Sequence, residues 1–388
     1  MAIEDTTYDV PTLAAPGNTI DVEDEDEGSD WLIMSGTYMQ QTSITLKWSS
    51  LNDLPVSAAG TYYVDNTNTA GRLVVTGVIE NVRGSNSRDD IIGNQVGNII
   101  YGDQDRTGAG GDDVISADIG DDTVYGGAGN DSIGGDAGAD RLYGDAGNDT
   151  ISGGGDADVI EGGAGADVLS GGADAEDTVS YEASSAGVTI SLTFGSTTTG
   201  SGGDAQDDTI NGFLNVIGSE LNDVITDTVA GNQAPQNGDN AFDGRGGNDI
   251  LNLGGSNDIG IGGAGKDKLT GGLGADTLTG GTQKDLFIFT RAGDSAVAMS
   301  GRDTITDFSR SDKDEIDLHL IDANSKKGGN QAFEFIGDHA FSKQAGELRI
   351  KESGDGYLVQ GDINGDRKAD FAIFVDNVNA LKSGDFDM

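Results

Sequence analysis

An aspartate returns at every ninth residue through two long stretches of this chain. In the first, 108–170, it stands at Asp113, Asp122, Asp131, Asp140, Asp149, Asp158 and Asp167; in the second, 235–288, Asn240 is followed by Asp249, Asp258, Asp267, Asp276 and Asp285. Outlying copies carry Asp89 in 84–92, Asn98 in 93–101 and Asp223 in 218–226. Carboxylates at fixed spacing can act as acid–base pairs or as oxygen donors to a cation. In a chain this acidic, proximity of two acids says nothing about glycoside hydrolysis. The charge balance points to the cation: 67 acidic side chains against 22 basic ones leave −45. With 35% hydrophobic and 6% aromatic residues, such self-repulsion would push an ordinary chain toward disorder. A positive partner is missing from the sequence.

Other chemistries fall away quickly. Cysteine is absent, which removes disulfides, thiolate metal sites and a Cys nucleophile. No GxSxG nucleophile elbow occurs, and Gly265-Lys266 is followed by Asp267 rather than the Ser or Thr of a phosphate-binding loop. The negative charge repels nucleic acid and anionic lipid. No apolar run approaches the roughly 20 residues of a transmembrane span, and the absence of a basic residue before Lys47 argues against an amino-terminal secretory signal.

The elements that must position these carboxylates share the period. Two places after each aspartate of 108–170 stands an aliphatic residue: Ile115, Val124, Ile133, Leu142, Ile151, Ile160 and Leu169. Glycines, 64 in the chain, precede each aspartate and permit crowded or left-handed backbone. The three residues after it alternate out, in, out as a short strand does. One repeat therefore reads as a turn plus a strand. Gly260 in place of the apolar residue, and Asp156 and Gln283 in place of the fourth glycine, mark irregular copies. A flexible Gly/Asp/Asn-rich linker would not hold an apolar residue in phase through seven consecutive periods.

Segments such as Gly-Gly-Ala-Gly-Asn-Asp-Ser-Ile-Gly from Gly126 resemble the RTX nonapeptide GGxGxDxUx, which builds calcium-binding parallel β-rolls. The resemblance implies two nonapeptides per coil, so that aspartates 18 apart stack: Asp113, Asp131, Asp149 and Asp167 on one edge, Asp122, Asp140 and Asp158 on the other. Strands stack about 4.8 Å apart, and a column of like charges at that spacing needs an intervening cation. Calcium, taking six to eight oxygens, suits carboxylates flanked by open glycine carbonyls. Gaps between stacked repeats number about five in the first tract and about four in the second, hence roughly nine ions or more. One aliphatic side chain per repeat makes a thin core, so metal binding and folding should be coupled.

Two further segments parallel one another: Asp30 to Ile33, Ile44 to Trp48 and Asn81-Val82, against Asp177 to Val179, Val188 to Leu192 and Asn215-Val216. Their alternating apolar positions predict strands, and repeat stacks need covered ends. Both are expected to be β caps, with a ligand surface on Trp31 and Trp48 as the alternative. The acid-rich 21–27 is expected to be solvated. Beyond Lys284, the stretches Asp285 to Phe289, Gly301 to Phe308, Asp314 to Leu318, Ala345 to Arg349 and Gly361 to Ile373 resemble the carboxy-terminal domain of serralysin metalloproteases. That resemblance implies a β-rich fold and an uncleaved type I secretion signal. The serralysin zinc helix HExxHxxGxxH needs three histidines. This chain has two, His319 and His339, neither followed by glutamate, so that protease is not encoded and both are expected as β-domain side chains. Asp362, Asn364, Asp366 and Asp370 alternate like the start of an EF-hand, but glycine falls at the fourth place and Ile373 replaces the closing glutamate. A hydrogen-bonded turn is expected there, with a calcium site of another kind as the alternative.

The expected organisation is all-β: an acidic segment (1–29), a β cap (30–83), a first roll (84–170), a second cap (171–217), a second roll (218–288) and a serralysin-like domain (289–388). The expected function is that of a secreted, non-enzymatic protein, exported by the type I apparatus to the cell surface or exterior and folded there by calcium. Its role would be structural or adhesive, with acidic polysaccharide or self-assembly as partners. The alternative is the calcium-dependent folding and secretion module of a larger hydrolase.

Overall fold

The computed structural model describes residues 84, 88–103, 108, 110–172, 176–193, 196–228 and 238–388. It also gives the backbone of the strands Thr7–Val10, Trp31–Met34, Tyr63–Val64, Gly71–Val74 and Asn81–Arg83. The acidic 21–27, the expected strand at 44–48 and the Trp31 and Trp48 side chains lie outside the described residues. The chain divides into two compact units, Met1–Ser180 with Asp204–Phe213, and Tyr181–Gly203 with Leu214–Met388. The segment expected as a second cap, 171–217, is thus shared between them.

In the first unit, each strand that follows a nonapeptide turn pairs in parallel with the strand one coil away. Val114–Asp118, Ser132–Ala137, Thr150–Gly155 and Val168–Gly172 form one such stack, which continues to Thr209–Asn211. Ile99–Tyr101, Thr123–Ala128, Arg141–Ala146 and Val159–Glu161 form the other, continuing to Thr178–Ser180. Consecutive strands alternate between stacks, so 18 residues complete one coil: Ile133 pairs with Ile151 and Leu142 with Ile160. Asn81–Arg83 and Trp31–Met34 extend one stack, and Gly71–Val74 the other, in the same parallel sense. The expected inward residues, Ile115 to Leu169, are all at most 2% exposed. On the outer face Tyr101, Tyr125 and Tyr143 stack with ring centroids 4.8 and 4.9 Å apart, as the coil spacing dictates.

The second unit repeats the arrangement. Val224–Asp227, Ile250–Asn252, Lys268–Thr270 and Leu286–Ile288 stack in parallel, and Thr189–Leu192 joins their first member. The opposite stack runs Asn215–Ile217, Ala241–Asp243, Ile259–Ala264 and Thr277–Thr282. Neither stack stops at 288. Glu315–Asp317 and Phe386–Asp387 continue one, and Thr304–Ile305 and Phe371–Val375 the other. Glu347–Ser353, Gly356–Asp362 and Phe371–Val375 then pair antiparallel around buried Leu348, Val359, Phe371 and Ile373. Among the described residues there is no α-helix, only three short 3₁₀ turns.

Gly260, the irregular copy, has a physical explanation. A Cβ at Gly260 would sit 3.0 Å from Leu253 Cδ1, and Leu253 is completely buried. Leu253 occupies the first place of its repeat, where glycine is usual, and fills the core position that Gly260 leaves. Leu253→Ala is expected to lower stability by about 2–5 kcal/mol, read by denaturant unfolding in excess calcium. A loss under about 1 kcal/mol would show that the gap closes by other means.

Candidate metal centres

Each turn aims its aspartate inward and along the stack. In the first unit, the main-chain N–H of Asp89 donates to Oδ1 of Asp113 at 2.7 Å, and Asp113, Asp131 and Asp149 do the same to Asp131, Asp149 and Asp167 at 2.7–2.8 Å. The opposite edge runs Asn98, Asp122, Asp140 and Asp158. In the second unit, Asp223, Asp249, Asp267 and Asp285 form one ladder, and Asn240, Asp258 and Asp276 the other. All fourteen sequence-derived candidates, from Asp89 to Asp285, are buried.

With Oδ1 engaged by the ladder, Oδ2 is the free hand. In Asp113, Asp122, Asp131, Asp140, Asp149 and Asp167, and in Asp249, Asp258, Asp267, Asp276 and Asp285, Oδ2 is buried and accepts no hydrogen bond. Burying a charged oxygen in that way is costly unless it is paired. The corner beside it is open because the first residue of the turn is usually glycine. A Cβ at Gly126 would lie 2.4 Å from Asp131 Oδ2 and 2.8 Å from the carbonyl oxygen of Gly144, one coil on. At Gly262 the same two distances, to Asp267 Oδ2 and Gly280 O, are both 2.6 Å. Carboxylate and carbonyl oxygens thus converge on one corner, the donor set a hard divalent cation takes. These residues fit calcium.

The electrostatics agree. Burial, the largest influence, pushes Asp113 up to about 9 and Asp140, Asp149, Asp249 and Asp258 up to about 8, against the lowering hydrogen bond each accepts from a backbone amide. Neighbouring carboxylates raise these values further. Asp122 and Asp285 rise to about 7, and Asp131, Asp167 and Asp276 to about 6, again chiefly by burial. Asp223 differs in its bonding: Oδ1 accepts from Val188 N and Ser219 Oγ, and Oδ2 from Ser219 N at 2.6 Å.

Several members of the ladders escaped the nine-residue pattern. Asp158 N donates to Asp177, Asp167 N to Asp208, Asp276 N to Asp303 and Asp285 N to Asp314, at 2.8–3.0 Å. Asp303 has a buried Oδ2 without a hydrogen bond, like the repeat aspartates, and burial pushes its carboxyl up to about 9. The fifth place of the turn carries a second ladder pointing the other way. Asn130 N donates to Asp112 Oδ1, Asn148 N to Asn130 Oδ1 and Ala166 N to Asn148 Oδ1, and Asn248 and Lys266 repeat this in the second unit.

Elsewhere, the Asp362 loop is a hydrogen-bonded turn, as expected: Asp362 Oδ1 accepts from Gly365 N at 2.6 Å and Oδ2 from Arg367 N at 2.8 Å. His339 is exposed and bonds the Ile336 carbonyl. His319 pairs through Nδ1 with Asp317 Oδ1 at 2.5 Å. Together with Asp387 these two residues offer atoms within 4.8 Å of one another, a grouping the sequence did not suggest.

Fold and site together define a calcium-fitting parallel β-roll. The RTX calcium-binding nonapeptide repeat (4 copies) matches residues 107–142, 143–175 and 253–287, and the chain carries these calcium-binding repeats. No curated protein sequence matches the chain. Among solved structures, the AlgE6R2 subunit of the Azotobacter vinelandii mannuronan C5-epimerase is similar at 24% identity, over 44% of this chain and 89% of that one, with a TM-score of 0.24. The AlgE6R3 subunit of the same enzyme is similar at 24% identity, over 43% and 78%, with a TM-score of 0.23. The extracellular lipase LipA of Serratia marcescens is similar at 12% identity, over 81% of this chain and 42% of that one, with a TM-score of 0.19.

Proposed function

We propose that this chain is a secreted, non-enzymatic calcium-binding protein that leaves the cell unfolded and folds on external calcium. Its role is structural or adhesive, at a surface layer, a matrix or an acidic polysaccharide. The observation that carries the reading is the set of buried aspartate Oδ2 atoms that accept no hydrogen bond, with a carbonyl oxygen at the turn corner beside Asp113, Asp131, Asp140, Asp149, Asp249 and Asp267. A chain whose core carboxylates need a cation stays open where calcium is scarce, the state a secretion channel accepts, and closes where calcium is plentiful. Ions bound along two turn edges leave the other carboxylates free, so calcium shared with another acidic polymer gives a mode of attachment. No helix among the described residues is long and apolar enough to cross a membrane.

Two measurements test this. Co-expressed with a type I apparatus, the chain should appear outside the cell, and deletion of 289–388 should abolish its export. The purified protein should be retained on a calcium-gelled alginate matrix and released by chelator; flow-through in calcium would remove the adhesive role. The resemblance of 285–373 to the carboxy-terminal domain of serralysins supports a second reading, a folding and secretion module of a larger hydrolase. A zinc motif in coding sequence upstream of Met1, with clearing on a casein gel by the native product, would favour that reading over the first.

A further inference from the structure

The six residues 102–107 interrupt the repeat before 108, and one of them turns back into the roll. Asp103 is 2% exposed. Its Oδ2 accepts the amide of Ala128 at 2.8 Å and its Oδ1 that of Gly111 at 3.3 Å. In regular turns the third-place amide donates to a backbone carbonyl of the preceding coil, as Ala164 N does to Asp145 O and Ala264 N to Arg245 O. At Ala128 the amide donates to a carboxylate oxygen.

This carboxylate lies at the turn that carries the donors of one ladder position. A Cβ at Gly102, the neighbour of Asp103, would stand 2.4 Å from both Asp113 Oδ2 and the Gly126 carbonyl oxygen; one at Gly127 would stand 2.5 Å from Asp103 Oδ2. Asp113 and Asp131 are themselves at most 2% exposed, with Oδ2 atoms that accept no hydrogen bond. A carboxylate has about four lone-pair sites and can hold a cation while it accepts amide hydrogen bonds. Asp103 also adds to the negative field on Asp113 and Asp131. Three buried carboxylates at one turn are tolerable only with positive charge among them.

We propose that Asp103 is an additional carboxylate ligand of the cation held between the coils of Asp113 and Asp131, which makes this the tightest calcium site of the first tract. The proposal rests on the ladders being calcium sites. Calcium affinity rises with the number of charged ligands and the rigidity of the site, and Asp103 adds a charge that the period does not provide.

The test dialyses the calcium-loaded full chain against falling free calcium and follows the last ion released. Asp103→Asn keeps a carbonyl acceptor for the two amides but loses the charge, and should release its last ion at roughly tenfold higher free calcium. Asp156→Asn, which removes an exposed charge at another turn, should match the unsubstituted protein. Identical last-ion release in all three overturns the proposal, whereas a chain that binds no calcium at all overturns the underlying ladder reading instead. Should Asp103→Asn fail to fold, a crystal structure of the unsubstituted chain in millimolar calcium decides. An Asp103 oxygen about 2.3–2.6 Å from a cation shared with Asp113 or Asp131 supports it; occupied neighbouring sites with Asp103 beyond coordination range overturn it.

Discussion

Chelation of calcium at pH 7 is expected to unfold both units, with loss of most of the β signal in far-ultraviolet circular dichroism and its return when calcium is restored. The size of the effect follows from the number of sites. At free calcium about ten times a site constant of about 10⁻⁴ M, each ion contributes about 1.4 kcal/mol, so nine contribute about 13 kcal/mol. That is comparable to the whole stability of a typical domain, about 5–15 kcal/mol. Removing the ions also leaves columns of buried carboxylates facing one another with no counter-charge. Magnesium should substitute poorly, since it demands near-octahedral geometry and gives up its water reluctantly. Equal, folded spectra with and without chelator would show that the aliphatic core suffices alone.

Acidification should partly replace the metal. In the folded roll Asp131, Asp122, Asp149 and Asp113 are pushed up to about 6, 7, 8 and 9 from an ordinary value of 3.8, chiefly because burial penalises the charged form. The folded state therefore holds protons that the unfolded chain has released. Without calcium, the stabilisation from these groups is complete below about pH 4 and is lost as pH rises through 6 to 9. Chelated protein that is unfolded at pH 8 should regain β structure near pH 4, a trend opposite to the acid denaturation of ordinary proteins. Calcium reverses the dependence: binding displaces protons, so its affinity should fall as pH drops from 8 to 5. Chelated protein that is no better folded at pH 4 than at pH 8 would show that the ladder carboxyls are not buried as described.

The period made much of this legible. A carboxylate, a glycine turn and one aliphatic residue in fixed phase specified the turn-plus-strand repeat and the buried side chains Ile115 to Leu169, while the 18-residue coil and the stacking of aspartates 18 apart followed from the resemblance to the RTX nonapeptide. What the period hid were the ladder members that insertions push out of phase. Asp177, Asp208, Asp303 and Asp314 stand 19, 41, 27 and 29 residues from their partners. Each nevertheless keeps a β-branched residue two places on, Val179, Ile210, Ile305 and Ile316, because the strand after the turn still has one face inward. That local signature, read without the period, would have found them. The Leu253–Gly260 exchange was not readable, because it depends on two positions seven residues apart in sequence meeting in space. The fifth-place ladder was visible only as a recurrent Asn or Asp, residues that turns favour anyway. Asp103 looked like part of a spacer.

The coil itself carries a further consequence. Insertions within a turn leave the ladders running, as before Asp177 and Asp208, but whole repeats can be gained or lost with both stacks in register only in quanta of 18 residues, a duplicated or deleted pair of nonapeptides. A change of nine would swap the two stacks and bring Ile133 opposite Leu142 rather than Ile151. The gene is thereby free to vary in length by unequal exchange between its own repeats, and such variants should differ by whole coils.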